Sequence, residues 1–251
     1  MSRKRLIARI DVKNEFVIKG IHLEGLRKVG DPIELAKKYY QEGIDEIIFM
    51  DAVASLYGRN NLFHIIEKAC KEVFVPITIG GGIRSVKDIE LALQSGADKI
   101  ALNTQAVKTP EIITEASRIY GSQCIIGSIE AKKKGNLWEV YVDNGREETG
   151  IDAVEWASKL EQLGAGELMV TSIDQEGTKR GYEIELIEKI SANVSIPVIA
   201  SGGAGNPAHI STVCKQTHVS GVAVAAILHY NLFSVTEIKK AMDLAGVNVR
   251  I

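Results

Sequence analysis

Eight short runs rich in β-branched residues alternate with longer amphipathic stretches along this chain, and that alternation limits the fold more than any other feature. The predicted strands are Leu6–Asp11, Glu46–Asp51, Val75–Ile79, Lys99–Leu102, Cys124–Ile129, Glu167–Thr171, Pro197–Ala200 and Gly221–Ala225. Helical periodicity fills the intervals at Asp31–Glu42, Asn61–Glu72, Val86–Ser95, Pro110–Tyr120, Ala153–Leu163, Glu183–Ser191, Pro207–Gln216 and Val235–Leu244. Alternation of this kind implies parallel strand pairing. Eight units in 251 residues have the size of a (β/α)8 TIM barrel. A doubly wound open sheet is the rival α/β arrangement. It usually has fewer strands, and no GxGxxG follows the first strand here.

An internal repeat sharpens this reading. Val75-Pro-Ile-Thr-Ile-Gly-Gly-Gly-Ile83 resembles Ile196-Pro-Val-Ile-Ala-Ser-Gly-Gly-Ala204, with Pro76 and Pro197 121 residues apart. Gly43-Ile-Asp-Glu46 and Gly164-Ala-Gly-Glu167 keep the same offset. The expectation is a single domain, 1–251, built from two similar (β/α)4 halves near 1–120 and 121–251. Each half needs the other to close its sheet.

Composition removes several function classes. A formal charge of −2 gives no reason to expect nucleic acid as a partner. No apolar run approaches membrane-spanning length, and the basic start has no long apolar core, so no secretory signal is expected. Cys70, Cys124 and Cys214 are odd in number and scattered, which fits a reducing cytoplasm rather than a disulfide framework. The five histidines lack metal-ligand spacing, and neither a metal nor a cofactor is expected.

Barrel chemistry sits at the carboxyl ends of strands. Asp11, Asp51 and Glu130 occupy such positions. Strands one and five lie opposite in an eight-stranded barrel, so Asp11 and Glu130 are expected to face each other across the mouth. Such a pair divides acid and base work if its environments separate the two pKa values. The plainer reading is that each caps its loop. Gly80-Gly-Gly82 and Ser201-Gly-Gly203 each join a strand to a helix. Glycine lets backbone approach an anion, and helix-start N–H groups point at it. Two such turns at matching places suggest a ligand with two phosphates. Asn103 and Thr104 would complete the first site with Gly81 and Gly82. Gly177, Thr178, Ala225 and Ala226 would reach the second with Gly202 and Gly203. The segment from Lys13 to Gly30 reads as a long glycine-punctuated loop and hence a lid. Lys19 on it is a candidate phosphate or substrate partner, or simply a solvated lysine. Trp138 and Tyr141 fall in a predicted hairpin, Leu137–Val142 returning through Asn144-Gly145.

Period-two alternation puts Arg5, Ile7, Arg9 and Asp11 on one face of the first strand. Glu46, Lys99 and Glu167 begin strands two, four and six. With Arg5 they are expected to form an alternating charge ring at the amino-terminal end of the barrel, since buried charges require partners. Such a ring serves either as a stabilising lid or as a gate for a small polar molecule.

Together these residues make the chain resemble the cyclase subunit family of imidazole glycerol phosphate synthase over essentially its whole length. The motifs include Ile10-Asp-Val-Lys13, Val17-Ile-Lys-Gly20, Gly96-Ala-Asp-Lys99, Thr171-Ser-Ile-Asp174, Ala200-Ser-Gly-Gly-Ala-Gly205 and Gly246-Val-Asn-Val-Arg250. The resemblance implies a lyase. It would use ammonia from a glutaminase partner to convert a bis-phosphorylated phosphoribulosyl aminoimidazole-carboxamide into imidazole glycerol phosphate and aminoimidazole-carboxamide ribotide, in histidine biosynthesis. It implies Asp11 and Glu130 as the acid/base pair and Lys19 as the lid lysine. Phosphate and substrate contacts would come from Gly81, Gly82, Asn103, Thr104, Thr171, Gly177, Gly202, Gly203, Ala225 and Ala226. Arg5, Glu46, Lys99 and Glu167 match the ammonia gate, and Asp98 and Gln123 match the glutaminase-facing surface.

The chain departs from the family pattern at the reaction centre. Glu130 stands where the family has aspartate, and an added methylene moves the carboxylate by roughly 1 Å, enough to cost about 10²-fold in rate. Arg9 replaces a small residue and is expected to pair with Glu130 and to lower the pKa of both carboxyls. Arg9 also fills space on the ammonia route. Ala226 replaces a serine and Glu176 an aspartate. Two other readings therefore stand beside the cyclase. One is a paralogue that delivers ammonia to a different amidation, such as acetamidino-sugar synthesis for a bacterial surface polysaccharide. The other is a scaffold that only activates the glutaminase.

Overall fold

The computed structural model describes residues 3–52 and 62–251. Twelve strands occur among the described residues: β1 Arg5–Lys13, β2 Phe16–Ile21, β3 Glu24–Gly30, β4 Glu46–Asp51, β5 Ile77–Gly80, β6 Lys99–Leu102, β7 Ile125–Lys134, β8 Leu137–Val142, β9 Glu147–Asp152, β10 Glu167–Ser172, β11 Val198–Ser201 and β12 Gly221–Val224. Eight of them pair in parallel in the order β1-β4-β5-β6-β7-β10-β11-β12, and β12 pairs with β1 to close a (β/α)8 barrel. The helices are α1 Pro32–Gln41, α2 Leu62–Ala69, α3 Val86–Gln94, α4 Thr104–Lys108, α5 Glu111–Tyr120, α6 Ala153–Leu163, α7 Ile184–Asn193, α8 Pro207–Gln216, α9 Ala226–His229 and α10 Val235–Leu244. All eight predicted strands and all eight predicted helices are present within a few residues of their expected bounds. Asn61, the predicted start of the second helix, lies outside the described residues. The short helices α4 and α9 were not anticipated, because a single turn carries no amphipathic period to read.

Local chemistry starts the helices. Asp31 accepts from the Ile33 and Glu34 amides ahead of Pro32, and Ser85 with Asp88 and Ser234 with Glu237 form capping boxes. Strand parity then sorts the core. Leu6, Ala8, Ile47, Phe49 and Leu168 point outward against the helices. Ile7, Ile48, Ala101, Ile126, Met169 and Ile199 fill the barrel interior. Cys70, Cys124 and Cys214 are all free thiols. No described helix is long and apolar enough to cross a membrane.

The segment from Lys13 to Gly30 corrects one expectation. It is an antiparallel extension of the barrel, with β1 pairing β2 and β2 pairing β3. Its tip is a two-residue turn at His22 and Leu23, both with positive φ. Turns of this kind normally announce themselves with Asn or Gly, so the hairpin had no sequence signal. The tip is strapped to the barrel: the His22 amide donates to the Glu176 carbonyl at 2.8 Å. Gly177 has no side chain to obstruct this, since a Cβ there would lie 2.2 Å from the Gly20 carbonyl oxygen. The predicted hairpin at Leu137–Val142 is part of a longer meander in which β8 pairs antiparallel with both β7 and β9.

Packing between β7 and α6 supplies a test of the fold. Leu160 is fully buried, and its Cδ1 would lie 2.8 Å from a Cβ added at Gly127. Leu160→Ala is expected to cost about 2–5 kcal/mol, and Gly127→Ala about 1–3 kcal/mol by overpacking. The double variant should lose less than the sum, because Leu160→Ala removes one of the two close contacts of the new methyl, the other being Leu168 Cδ2 at 2.9 Å. Urea denaturation of the four proteins measures this; strict additivity would contradict the packing described.

Candidate active site

The expected charge ring is present at the end where the barrel strands begin. Arg5 Nη1 meets Glu46 Oε1 at 2.7 Å, and Arg5 Nη2 bonds Glu167. Lys99 Nζ closes the circle with Glu46 Oε2 at 3.3 Å and Glu167 Oε2 at 2.9 Å. Each acid contacts both bases, so no member is left with an uncompensated charge. Around the same end, Asp98 and Gln123 are exposed just before β6 and β7. The Asp98 carboxylate accepts from the Ile77 amide. Phe74 is 73% and Ile119 55% exposed on segments that precede β5 and β7.

At the opposite end, four charged side chains form one buried cluster. Arg9 Nε donates to Asp11 Oδ1 at 2.8 Å, and Arg9 Nη1 donates to Thr171 Oγ1 at 3.0 Å and Ser201 Oγ at 3.3 Å. Lys19 Nζ reaches Asp11 Oδ2 at 3.3 Å and also bonds Glu176. Arg9 and Lys19 are 2% and 4% exposed. Lys19 is therefore not solvated; the hairpin buries it. Arg9 does not pair with Glu130 as expected. It pairs with Asp11, two residues along the same strand and on the same face. Glu130 receives the Gly145 backbone N–H, and its Oε2 is buried without a partner among the described residues.

This arrangement separates the two carboxyls. Burial opposes ionisation of Asp11, but Arg9 and Lys19 outweigh it and hold Asp11 down to about 2. Burial dominates at Glu130, assisted by the Asp11 charge, and pushes it up to about 7 although Arg9 pulls the other way. Arg9 thus pulls both carboxyls down, as expected, but at Glu130 burial and the Asp11 charge outweigh it, because the guanidinium hydrogen bonds go elsewhere. Arg9 itself is raised: desolvation disfavours its charge, but Asp11, Glu176 and Glu130 more than compensate. Behind the cluster, burial and Lys19 push His229 down to about 4, and its Nδ1 lies 2.7 Å from the Tyr39 hydroxyl.

The glycine turns form two unequal cradles. Gly81 and Gly82 adopt φ of 86° and 74°, and a Cβ at Gly81 would sit 2.3 Å from the Asp51 carbonyl oxygen. With Asn103, Thr104, Glu130 and Asn144 they line a cavity of about 260 Å³. Gly202 and Gly203 line a second void with Gly177, Ala225, Ala226, Arg9, Lys19 and Glu176, but its cavity volume on the same measure is only about 10 Å³. Asp11 lines a third small void that shares Ala52 and Asn144 with the first cavity. Contrary to expectation, Asp11 and Glu130 do not face each other across one shared cavity but line neighbouring ones, although each still senses the other's charge. Outside the second cradle lies a basic groove with Arg27, Lys28 and Lys179, sharing Lys19 and Gly177 with it. Sequence reasoning did not assign Ser201 or the Lys19–Glu176 pair. Inward parity on β11 would have found Ser201; the pair depends on the unforeseen hairpin.

A closed (β/α)8 barrel with glycine turns and two electrostatically separated carboxyls at one end and a charge ring at the other defines the class, a TIM-barrel enzyme. The chain belongs to the family described as histidine biosynthesis protein, whose profile matches residues 5–234. It is similar to imidazole glycerol phosphate synthase subunit HisF of Legionella pneumophila, 59% identical over 82% of this chain and 97% of the relative. It is also similar to the subunit HisF of Dehalococcoides mccartyi, 45% identical over 100% of this chain and 99% of the relative.

The divided carboxyls give a pH prediction. A carboxyl raised in the folded chain favours folding below its ordinary value and loses that advantage as pH climbs to the raised value. Glu130 should therefore destabilise the protein progressively from 4.5 to about 7. Asp11 acts oppositely: its contribution is present above 3.8 and is lost as pH falls through about 2. Glu130→Gln is expected to raise the melting temperature relative to wild type more at pH 8 than at pH 5. Scanning calorimetry at both pH values checks this, and an equal effect at the two would contradict a carboxyl raised to neutrality.

Proposed function

We propose that this chain is the cyclase subunit of imidazole glycerol phosphate synthase, a lyase of histidine biosynthesis. A bis-phosphorylated aminoimidazole-carboxamide substrate reacts with ammonia at the cradle end. The observation that carries this reading is the separation of Asp11 and Glu130 on strands one and five of the barrel. One stays an anion at neutral pH, and the other holds or releases a proton there. Asp11 serves as the permanent base and electrostatic anchor, and Glu130 as the proton donor. The first phosphate sits on Gly81, Gly82, Asn103 and Thr104. The second is received by Gly202, Gly203, Gly177 and the Ala225–Ala226 backbone, with Thr171 close by. For that, Lys19 exchanges Glu176 for the phosphate.

Ammonia enters at the opposite end. In this proposal a glutaminase subunit docks over Asp98, Gln123, Phe74 and Ile119, and Arg5, Glu46, Lys99 and Glu167 gate the route. Above the ring the interior is apolar, which suits a small neutral molecule. Thr78 Oγ1 and Ser128 Oγ are buried without partners among the described residues, and strand parity points both inward, where they offer passing ammonia hydrogen bonds. The single-domain organisation over 1–251, as two half-barrels, belongs to the same proposal. The comparisons give no support to ammonia delivery for acetamidino-sugar synthesis.

Turnover of the aminoimidazole substrate with an ammonium salt tests the proposal. Wild type should cyclise it, and Asp11→Asn should lose at least about 10²-fold in kcat. Glu167→Gln should depress glutamine-driven turnover by the assembled complex more than ammonium-driven turnover. Absence of cyclisation by wild type, with glutaminase stimulation intact, would overturn the cyclase reading.

A further inference from the structure

The turn that closes β8 onto β9 reaches into the reaction centre. Asp143, Asn144 and Gly145 carry φ of 51°, 60° and 74°, a left-handed run in which Asn, Asp and Gly are the favoured residues. The Arg146 amide closes it by donating to the Val142 carbonyl at 3.1 Å, and the Asp143 amide donates to Thr104 Oγ1 at 3.0 Å. Two groups of the turn then face the carboxyls. The Gly145 N–H donates to Glu130. The Asn144 side chain lines both the cavity that holds Glu130 and the small void beside Asp11. Its Nδ2 is buried with no hydrogen-bond partner among the described residues.

A buried amide nitrogen without an acceptor is costly. At the junction of the two carboxyl groups, the missing acceptor is one that arrives with the ligand. Its chemistry is restricted by the neighbours. Asp11, Glu176 and Lys19 line the same small void, and Lys19 is already shared between the two carboxylates, so a phosphate oxygen beside Asn144 would meet two anions and one committed cation. A neutral hydroxyl or carbonyl oxygen would not.

We propose that Asn144 is a substrate-binding residue whose Nδ2 donates to a neutral oxygen of the ligand's open sugar chain, fixing that oxygen between Asp11 and Glu130. The proposal rests on the cyclase reading and names a contact that this reading does not require.

Two variants test it. Asn144→Gly keeps the left-handed turn and the Gly145 N–H but removes the donor. Asn144→Asp keeps the shape, removes the donor and adds an anion near Glu130. With the aminoimidazole substrate and an ammonium salt, Asn144→Gly should lower kcat/KM about three- to tenfold, mostly through KM, at a melting temperature that is equal or higher because the unpartnered donor is gone. Asn144→Asp should lose more and move the neutral-pH inflection of kcat/KM upward, because a second anion disfavours ionisation of Glu130. Wild-type turnover with Asn144→Gly within twofold in kcat/KM would overturn the proposal alone. So would a loss that follows a fallen melting temperature with KM unchanged, since the residue would then be structural. No turnover by wild type would overturn the cyclase reading and this proposal with it.

Discussion

A charge inside a barrel must be matched by another charge inside the same barrel, and this requirement organises the molecule. The period of two along β1 turns Arg5, Ile7, Arg9 and Asp11 inward together. Two guanidinium groups are thereby committed to the interior, one at each end of the strand. At the base, Arg5 finds Glu46 and Glu167, and Lys99 completes a circuit in which every charge has two opposites. At the mouth, Arg9 finds Asp11 from its own strand, while Thr171 and Ser201 take the remaining hydrogen bonds. The apolar layer between them holds the two charged tiers apart.

Because Arg9 spends its Nε on Asp11, Glu130 is left with a single backbone donor and a burial cost. Arg9 and Lys19 hold Asp11 down to about 2, while burial, against the pull of Arg9, pushes Glu130 up to about 7. A cation placed evenly between two acids would lower both. A cation locked on one lowers that one, and the anion it fixes then raises the other. Arg9 thus leaves one carboxyl firmly ionised and the other raised. It also fills the middle of the mouth.

Most of the architecture was legible because it rests on periodicity. Eight strands and eight helices follow from alternating apolar patterns, and the ring of Arg5, Glu46, Lys99 and Glu167 follows from strand parity plus the need to pair buried charge. The glycine cradles followed from their repetition. What escaped the sequence depended on backbone conformation or on a choice among partners. The hairpin at Phe16–Gly30 turns on His22 and Leu23, residues that rarely take positive φ, so a loop was the natural reading. With the hairpin missed, the burial of Lys19 and its bond to Glu176 were missed too. Arg9 had two acids within reach in the pattern. Only the geometry of one strand, with Asp11 two residues along and on the same face, decides between them.

The inequality of the two cradles follows from the same pairing. The first is open, and the second is filled by Lys19, Arg9 and Glu176. Glu176 places a carboxylate against the glycine turn, with Oε2 3.3 Å from where a Cβ of Gly202 would lie. An anion is thus already seated where the proposed function needs one. A ligand phosphate offers Lys19 an equivalent partner, so the charge balance survives the exchange and the cation is never left bare. Lys19 rides on a hairpin whose outer strand, Glu24–Gly30, has no buried residue, and the tip is tied by the His22 amide to the Glu176 carbonyl and by its ring Nδ1, 2.9 Å from the Ile173 carbonyl oxygen. Lifting the whole element would uncover Val17, Ile18 and Leu23, the last packed against Tyr141 and Ile173, and moving Arg9 would disrupt Asp11, Thr171 and Ser201 together. In the proposed function the second cradle would therefore open by the Lys19 side chain turning from Glu176 to the phosphate, with the hairpin, Arg9 and Asp11 staying in place.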